Sequence, residues 1–317
     1  MIGFLARRLV QAIIVVIGVL LLVFLLAHII PGGEARAALG PRATRAQVAQ
    51  FNRINGFTLP LWDQFYRYLD NIVHLNLGYS YSYNQGVWAL IASRLPRTIV
   101  LVGLSTILAL VIAIPLGILQ VVRRNHPSDY VMTGLSFLFY AMPAFLLGEL
   151  LILYFAVDLK WFPVGFSQSE TAIDILKDPR SLVLPMFTLA ALTIASFSRY
   201  MRSSMMEAMT EDYVRTAKAK GAAPRRVLYG HALRNAIIPI LTLLGLSIPA
   251  IVSGAVITET VFNYPGMGFL TVEAAMKTDV PVILGTTLVA TVATVIGSLL
   301  ADVLYAVADP RIRYARR

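Results

Sequence analysis

The chain has 317 residues, 57% hydrophobic and only 14% charged, where a soluble domain averages roughly 25% charged. Apolar runs of about 20 residues place it in the membrane class. With no cysteine it has no disulfide, thiolate nucleophile or thiolate metal site, and its four histidines, His28, His74, His126 and His231, are too scattered in sequence to suggest a metal centre.

Arg7 and Arg8 precede the first apolar run, Leu9 to Ile30. Its 22 residues exceed a signal-peptide core and suffice for a bilayer that needs about 20, so it reads as a retained first span. Residues 31–97 are polar, with Pro31-Gly32-Gly33 and Gly40-Pro41 as breakers. Arg42 to Asn55 fits a short amphipathic helix. Leu61 to Leu77 carries Trp62, Phe65, Tyr66, Tyr68 and Leu69 at near-helical spacing, and Tyr79, Tyr81, Tyr83 and Trp88 follow. These residue types suit a membrane–water interface. They suit a packed extramembrane subdomain equally.

Five further apolar runs read as spans: Thr98–Val122, Val131–Val157, Leu182–Ser198, Ala236–Thr258 and Val282–Ala308. Pro115, Pro143 and Pro185 fall in the first three, and Pro239 with Pro249 in the fourth. Membrane helices tolerate proline where neighbours satisfy the freed carbonyls. Composition favours packing kinks over path-lining bends.

Six spans put both termini on one side, and the basic residues say which. That side holds 16 of the 27 basic residues and five acids; the other holds 11 basic residues and ten acids. The termini are therefore expected in the cytosol. The net charge of +10 becomes a topology signal, with no need for a nucleic-acid partner. The outer loops are then 31–97, 159–181 and 259–281, and the inner ones 123–130 and 199–235.

No GxxxxGK[ST], HExxH or GxSxG pattern is present, so the chain carries no recognisable nucleotide site or hydrolase signature. Lone serines such as Ser105, Ser196 and Ser247 suit helix–helix or backbone hydrogen bonds. Ionisable groups within spans are costly and often functional. Glu149, after Gly148 in the outer half of the third span, could face a water-filled path or bond a neighbouring helix. It is grouped with Pro143, Ser247 and Pro249 as a candidate path set. Asp302, near the inner end of the sixth span, is expected to pair with Arg311 or Arg313.

A polar, positively charged interval between two strongly apolar runs is Glu211 to Pro239. Glu211 and Asp212 open a helical segment and Lys218 and Lys220 close it, which complements the helix dipole. Gly221 fits a left-handed C-terminal cap, and Pro224 the first turn of a second helix. Tyr213, Ala217 and Gly221 recur at four-residue spacing, predicting a smooth face between basic side chains. On these residues alone the loop reads equally as a docking element and as a solvated basic loop.

This loop resembles the EAA loop of ABC-transporter permeases, in the form found in dipeptide, oligopeptide and nickel permeases and particularly their B-type subunit. The matching residues are Asp212-Tyr213-Val214-Arg215-Thr216-Ala217, Ala219-Lys220-Gly221, Arg225-Arg226-Val227-Leu228, His231-Ala232-Leu233-Arg234-Asn235-Ala236 and Pro239. Arg215-Thr216 stand where the general pattern has Glu-Ala, His231 where it has Ile, and Arg234 where it has Pro, departures typical of the peptide branch. Further matches are residues 4–8 (FLARR), Leu75 to Ser80, Arg94 to Thr98, Thr258 to Phe262 with Tyr264 to Gly268, and Asp309 to Tyr314. Gly32-Gly33-Glu34 departs from the family's Gly-Asp-Pro, and Glu149 stands where an apolar residue is expected.

The resemblance implies an all-α polytopic membrane protein of the type I ABC importer permease kind, with six transmembrane helices and a small extracytoplasmic subdomain. Residues 1–30 would form the cytosolic N-terminus and first span, 31–97 the subdomain, 98–308 the permease core with its cytosolic coupling loop 199–235, and 309–317 a cytosolic tail. It implies a multi-pass chain in the plasma membrane of a bacterium or archaeon. It also implies a permease for di- or oligopeptides, with nickel chelate, glutathione or haem as alternative cargo of the same family. An intramembrane enzyme is the alternative of another class, and no polar catalytic pair within the spans supports it. The implied partners are a sister permease subunit in a heterodimer, two ABC ATPase subunits or domains, an extracytoplasmic peptide-binding protein and the lipid bilayer. No cofactor is expected on this chain; ATP and Mg would be bound by the ATPases. The coupling residues carried over are Tyr213, Val214, Arg215, Thr216, Ala217, Lys218, Lys220, Gly221, Arg225 and Arg226.

Overall fold

A computed structural model describes residues 2–29, 35, 38–40, 42–166 and 171–308. In hydrocarbon every backbone N–H and C=O must be satisfied within its own segment, so apolar runs of this length become helices. The first is α1, Ile2–Ile29. Two shorter helices follow, α2 at Arg45–Ile54 and α3 at Leu61–Val73. Thr44 and Gln47 form a reciprocal capping box that starts α2. A two-residue antiparallel ladder pairs Tyr79–Ser80 with Gln85–Gly86 and leads into α4, Val87–Val122.

The helix of the second span thus starts at Val87 rather than Thr98, and position 97/98 lies inside it with Pro96. The polar residues Arg94 and Arg97 read as loop in sequence, and Thr98 as the first residue of the span. They stay in the helix because partners from a distant segment satisfy them, as described below.

The third span is broken. Helix α5, Pro127–Ala141, and the segment Ala144–Asp158 meet at 102°. Pro143 sits at the break, where a ring that cannot donate a hydrogen bond removes continuity. The second half begins as α6, Ala144–Leu151, and widens into a π-helix, Ile152–Asp158. Next come α7, Ala172–Lys177, and α8, Pro179–Ala208. Helix α9, Asp212–Ala219, is followed by a segment containing a π-helical turn, Val227–Ala232. Helix α10 is Ile238–Ser253, α11 Val256–Val261, α12 Met267–Met276 and α13 Val280–Ala308.

Among the described residues four helical stretches are long and apolar enough to cross a membrane alone: Val87–Val122, Pro179–Ala208, Pro224–Val261 and Val280–Leu300. The bent pair supplies a fifth when counted as one span. In α1 the apolar stretch is the shorter Val10–Leu26.

Helices α4 and α8 pack closely, as do α10 and α13. Both pairs depend on a missing side chain. A Cβ on Gly117 would stand 2.6 Å from the Cβ of Met201, and one on Gly297 2.8 Å from Pro249 Cδ. Small residues at such crossings let membrane helices approach without a hydrophobic driving force.

The predicted loop groups come together at opposite ends of the bundle. At one end Phe166 meets Tyr264 edge-on at 4.7 Å, and the hydroxyl of Ser80 donates to Asp279. The described parts of 31–97, 159–181 and 259–281 therefore share an end. At the other, Asp129 of the 123–130 turn pairs with Arg202 near the loop 199–235. The broken third span runs from one end to the other.

Candidate functional site

The basic loop folds as its punctuation predicts. Helix α9 starts after Glu211, with Asp212 in its first turn and Lys218 in its last. Gly221 has φ +77°, its N–H donates to the Lys218 carbonyl at 3.0 Å, and the Ala222 N–H donates to Ala217 at 3.1 Å. This pair of bonds is a Schellman motif, which needs the left-handed residue that glycine supplies cheaply. No atom lies within 4 Å of where a Gly221 Cβ would stand, so the turn is open to an approaching surface. Pro224 occupies the first turn of the next helical segment.

The smooth face expected from Tyr213, Ala217 and Gly221 is divided. Ala217 is buried, and with Val214 it packs into a cluster holding Met201, Met205, Val227 and Ala232. The outward face consists of Asp212, Tyr213, Arg215, Thr216, Lys218 and Lys220, continued by Gly221, Arg225 and Arg226. Arg215 makes only an exposed contact with Asp212 at 3.4 Å. Such a pair is worth under about 1 kcal/mol, so Arg215 is free to turn to a partner. An open groove of about 560 Å3 beside this face is lined by Tyr213, His231, Arg234, Asn235, Ile238 and Leu241 among others.

The stem beneath the loop is fixed to α5 by two arginines of α8. Arg202 Nη2 donates to Asp129 at 2.8 Å and its Nη1 donates to the Thr133 hydroxyl at 3.0 Å. The Arg199 guanidinium stands 4.9 Å from the Phe137 ring centroid and 4.7 Å from that of Tyr140. The basic excess in the sequence marked these arginines only as topology signals. Their spacing against Asp129 gave no local clue.

The four candidate path residues do not form one cluster. Glu149 is exposed on α6 beside exposed Phe145, Leu146 and Leu150, with no hydrogen bond or ion pair among the described residues. Pro143 is exposed at the break. Ser247 bonds its hydroxyl to its own helix at Leu243, and Pro249 is tucked against Gly297 of α13. Their neighbours Ile248 and Val252 instead line an apolar cavity of about 480 Å3, shared with Trp88, Leu288 and Val292. Asp302 lies on α13 where side chains are outside the described residues, and its expected partners Arg311 and Arg313 are also outside them.

At the opposite end, two sequence matches that lie far apart fold into one centre. The Thr98 hydroxyl donates to Glu259 at 2.9 Å and accepts the Met267 N–H at 2.7 Å. The other Glu259 oxygen accepts the Phe269 N–H at 3.0 Å, so the carboxylate caps the first turn of α12. Tyr264 donates its hydroxyl to the Arg97 carbonyl at 2.6 Å, while Arg97 Nη1 donates to the Pro265 carbonyl at 3.2 Å. The glycines of this segment make the room: a Cβ on Gly266 would lie 2.5 Å from Glu259 Cδ. Close by, Glu273 accepts hydrogen bonds from Tyr83 and from Lys277. Burial alone would raise the Glu273 pKa, but those two donors and the charges of Lys277 and Arg94 outweigh it and hold it below the ordinary value. Burial and the Glu273 contact push the Tyr83 phenol well up. Among the described residues no group of three or more His, Asp or Glu is placed to hold a metal ion.

Two family models cover the chain. Residues 1–102 match the N-terminal part of binding-protein-dependent transport system membrane components, and residues 106–314 match the binding-protein-dependent transport system inner membrane component. The oligopeptide transport system permease protein AppB of Bacillus subtilis is 39% identical over 316 residues, covering 99% of this chain and 100% of the relative. The di/tripeptide transport system permease protein DppB of Pseudomonas aeruginosa is 35% identical over 336 residues, with 100% of both chains covered. The dipeptide transport system permease protein DppB of Escherichia coli K12 is 34% identical over 339 residues, again across 100% of both. The chain, matched from end to end, belongs to the family of binding-protein-dependent transport system inner membrane components.

Proposed function

We propose that this chain is one half of the membrane channel of an ATP-driven importer for di- or oligopeptides. A sister permease completes the path, two cytosolic ATPase subunits or domains bind ATP and Mg, and an extracytoplasmic binding protein delivers the peptide. Both termini and the loop 199–235 face the cytosol, where the basic excess would hold them. The peptide substrate follows the names of the relatives, which transport oligopeptides, di- or tripeptides, and dipeptides.

The observation that carries the reading is the division of α9. Val214 and Ala217 key the helix into the core of α8, while Tyr213, Arg215, Thr216, Lys218 and Lys220 face outward beside the open Gly221 turn. A partner pressing on that face moves the bundle rather than the loop alone. Glu149, a carboxylate on an apolar face, is the path residue proposed to meet a peptide amino group.

The test uses the assembled complex in proteoliposomes with its binding protein. Gly221→Asp adds charge and bulk at the turn without filling occupied space. Hydrolysis of ATP should continue while peptide uptake falls. Uptake at the unmodified rate in that variant sinks the coupling role.

A further inference from the structure

Helix α3 carries more apolar surface than the protein covers. One arc packs inward, with the Phe65 ring 5.3 Å and the Tyr68 ring 6.1 Å from that of Phe24. Leu69 and Ile72 join them against Leu20, Val280 and Leu284. The adjoining arc holds Trp62, Tyr66 and Val73, which share a face by helical spacing and are exposed by 72%, 73% and 78%. The remaining arc holds Asp63, Arg67, Asp70 and Asn71.

The contacts of α3 fix its level. It touches α1 near its last turn, through Phe24 and through a 3.0 Å hydrogen bond between Gln64 and His28. It also touches the first turns of α13 at Val280 and Leu284. Thirteen residues give a helix about 20 Å long, enough to lie across the ends of both. On α1, Leu22, Leu25, Leu26 and Ile29 are exposed in the turns where Leu20 and Phe24 meet α3. The stripe lies at the level where that exposed apolar surface ends.

We infer that α3 is an interfacial helix, with Trp62, Tyr66 and Val73 seated in the headgroup–acyl boundary of the bilayer. Trp and Tyr suit that zone because each has an apolar body and a polar tip. The charges lie on a separate arc, as in helices that rest in the interface plane. The inference needs only that the chain spans a membrane and stands apart from the substrate or coupling reading.

Because the chain has no cysteine, Tyr66→Cys, Val73→Cys and Asn71→Cys each supply a single labelling site. Each full-length variant is assembled with cysteine-free partner subunits, spin-labelled and reconstituted in phosphatidylcholine vesicles. Labels at 66 and 73 should collide mainly with dissolved oxygen, and the label at 71 mainly with a water-soluble nickel chelate. Chelate-dominated collisions at 66 and 73 would place the stripe in water and overturn the inference. Immobilised labels shielded from both reagents would place it under another subunit and overturn it equally.

Discussion

The hydroxyl of Thr98 stands 2.9 Å from a carboxylate oxygen of Glu259, across 161 residues of sequence. Both side chains are buried, and the same carboxylate receives the Phe269 N–H. Replacing Glu259 by Ala leaves the Phe269 donor and the Thr98 hydroxyl without that acceptor. Each unsatisfied buried group costs about 1–3 kcal/mol. Glu259→Ala is expected to lower the Tm of the detergent-solubilised complex by more than Glu259→Gln, which retains one acceptor oxygen. Equal Tm values for the two variants would remove the carboxylate from this role.

Gly266→Ala tests the same centre from the other side. The added Cβ would meet Glu259 within 2.6 Å at all three carboxyl atoms. Overpacking of this kind costs typically about 1–3 kcal/mol. Gly18→Ala, where a Cβ meets nothing within 4 Å, is the control and should leave Tm unchanged.

Gly221→Ala separates strain from docking. At φ +77° a Cβ costs roughly 1 kcal/mol, and no neighbour adds to it. The variant should assemble with a small loss in Tm and retain more uptake than Gly221→Asp. Loss of Tm and of co-purification with the sister permease in both would show a folding effect alone.

The pairing of Arg202 with Asp129 predicts asymmetry. Asp129 is nearly fully buried and Arg202 half-buried, so an arginine without its acid is the better hydrated remnant. Arg202→Met should therefore destabilise more than Asp129→Asn, each by up to about 3–5 kcal/mol as for a broken buried pair. Thermal unfolding of the two variants and of Thr133→Ala, which should cost least, checks the order.

Glu273 gives a pH dependence with a definite sign. Its folded pKa lies below the ordinary value, so its contribution is complete above that value and disappears as pH falls through the lowered one. The Tm difference between wild type and Glu273→Gln should be constant above the ordinary carboxylate range and shrink as pH falls below it. A difference that grows on acidification would reverse the assignment.

Much of this arrangement is legible in the sequence because local chemistry dictates it. Apolar run length forces helices, Gly221 forces the left-handed cap, and Thr44 with Gln47 starts α2. Other features depend on distant partners. Nothing local shows that Arg94 to Thr98 stays helical, since the stabilising groups come from Tyr264 to Met267. The inward turn of Ala217 was missed because four-residue spacing marks a shared face without saying which face the core takes. The candidate path residues fall on separate elements because prolines and lone polar residues mark irregularity on each helix separately.

The break at Pro143 bears on how the third span crosses a membrane. Its two halves, Pro127–Ala141 and Ala144–Asp158, have 15 residues each and rise about 22 Å apiece, less than a hydrocarbon core of about 30 Å. Neither half can complete a crossing on its own. Helix α8 packs against both α5 and α6. The contacts that hold the two halves in one bundle thus come from the next span in the chain, which makes the third and fourth spans a single packing unit.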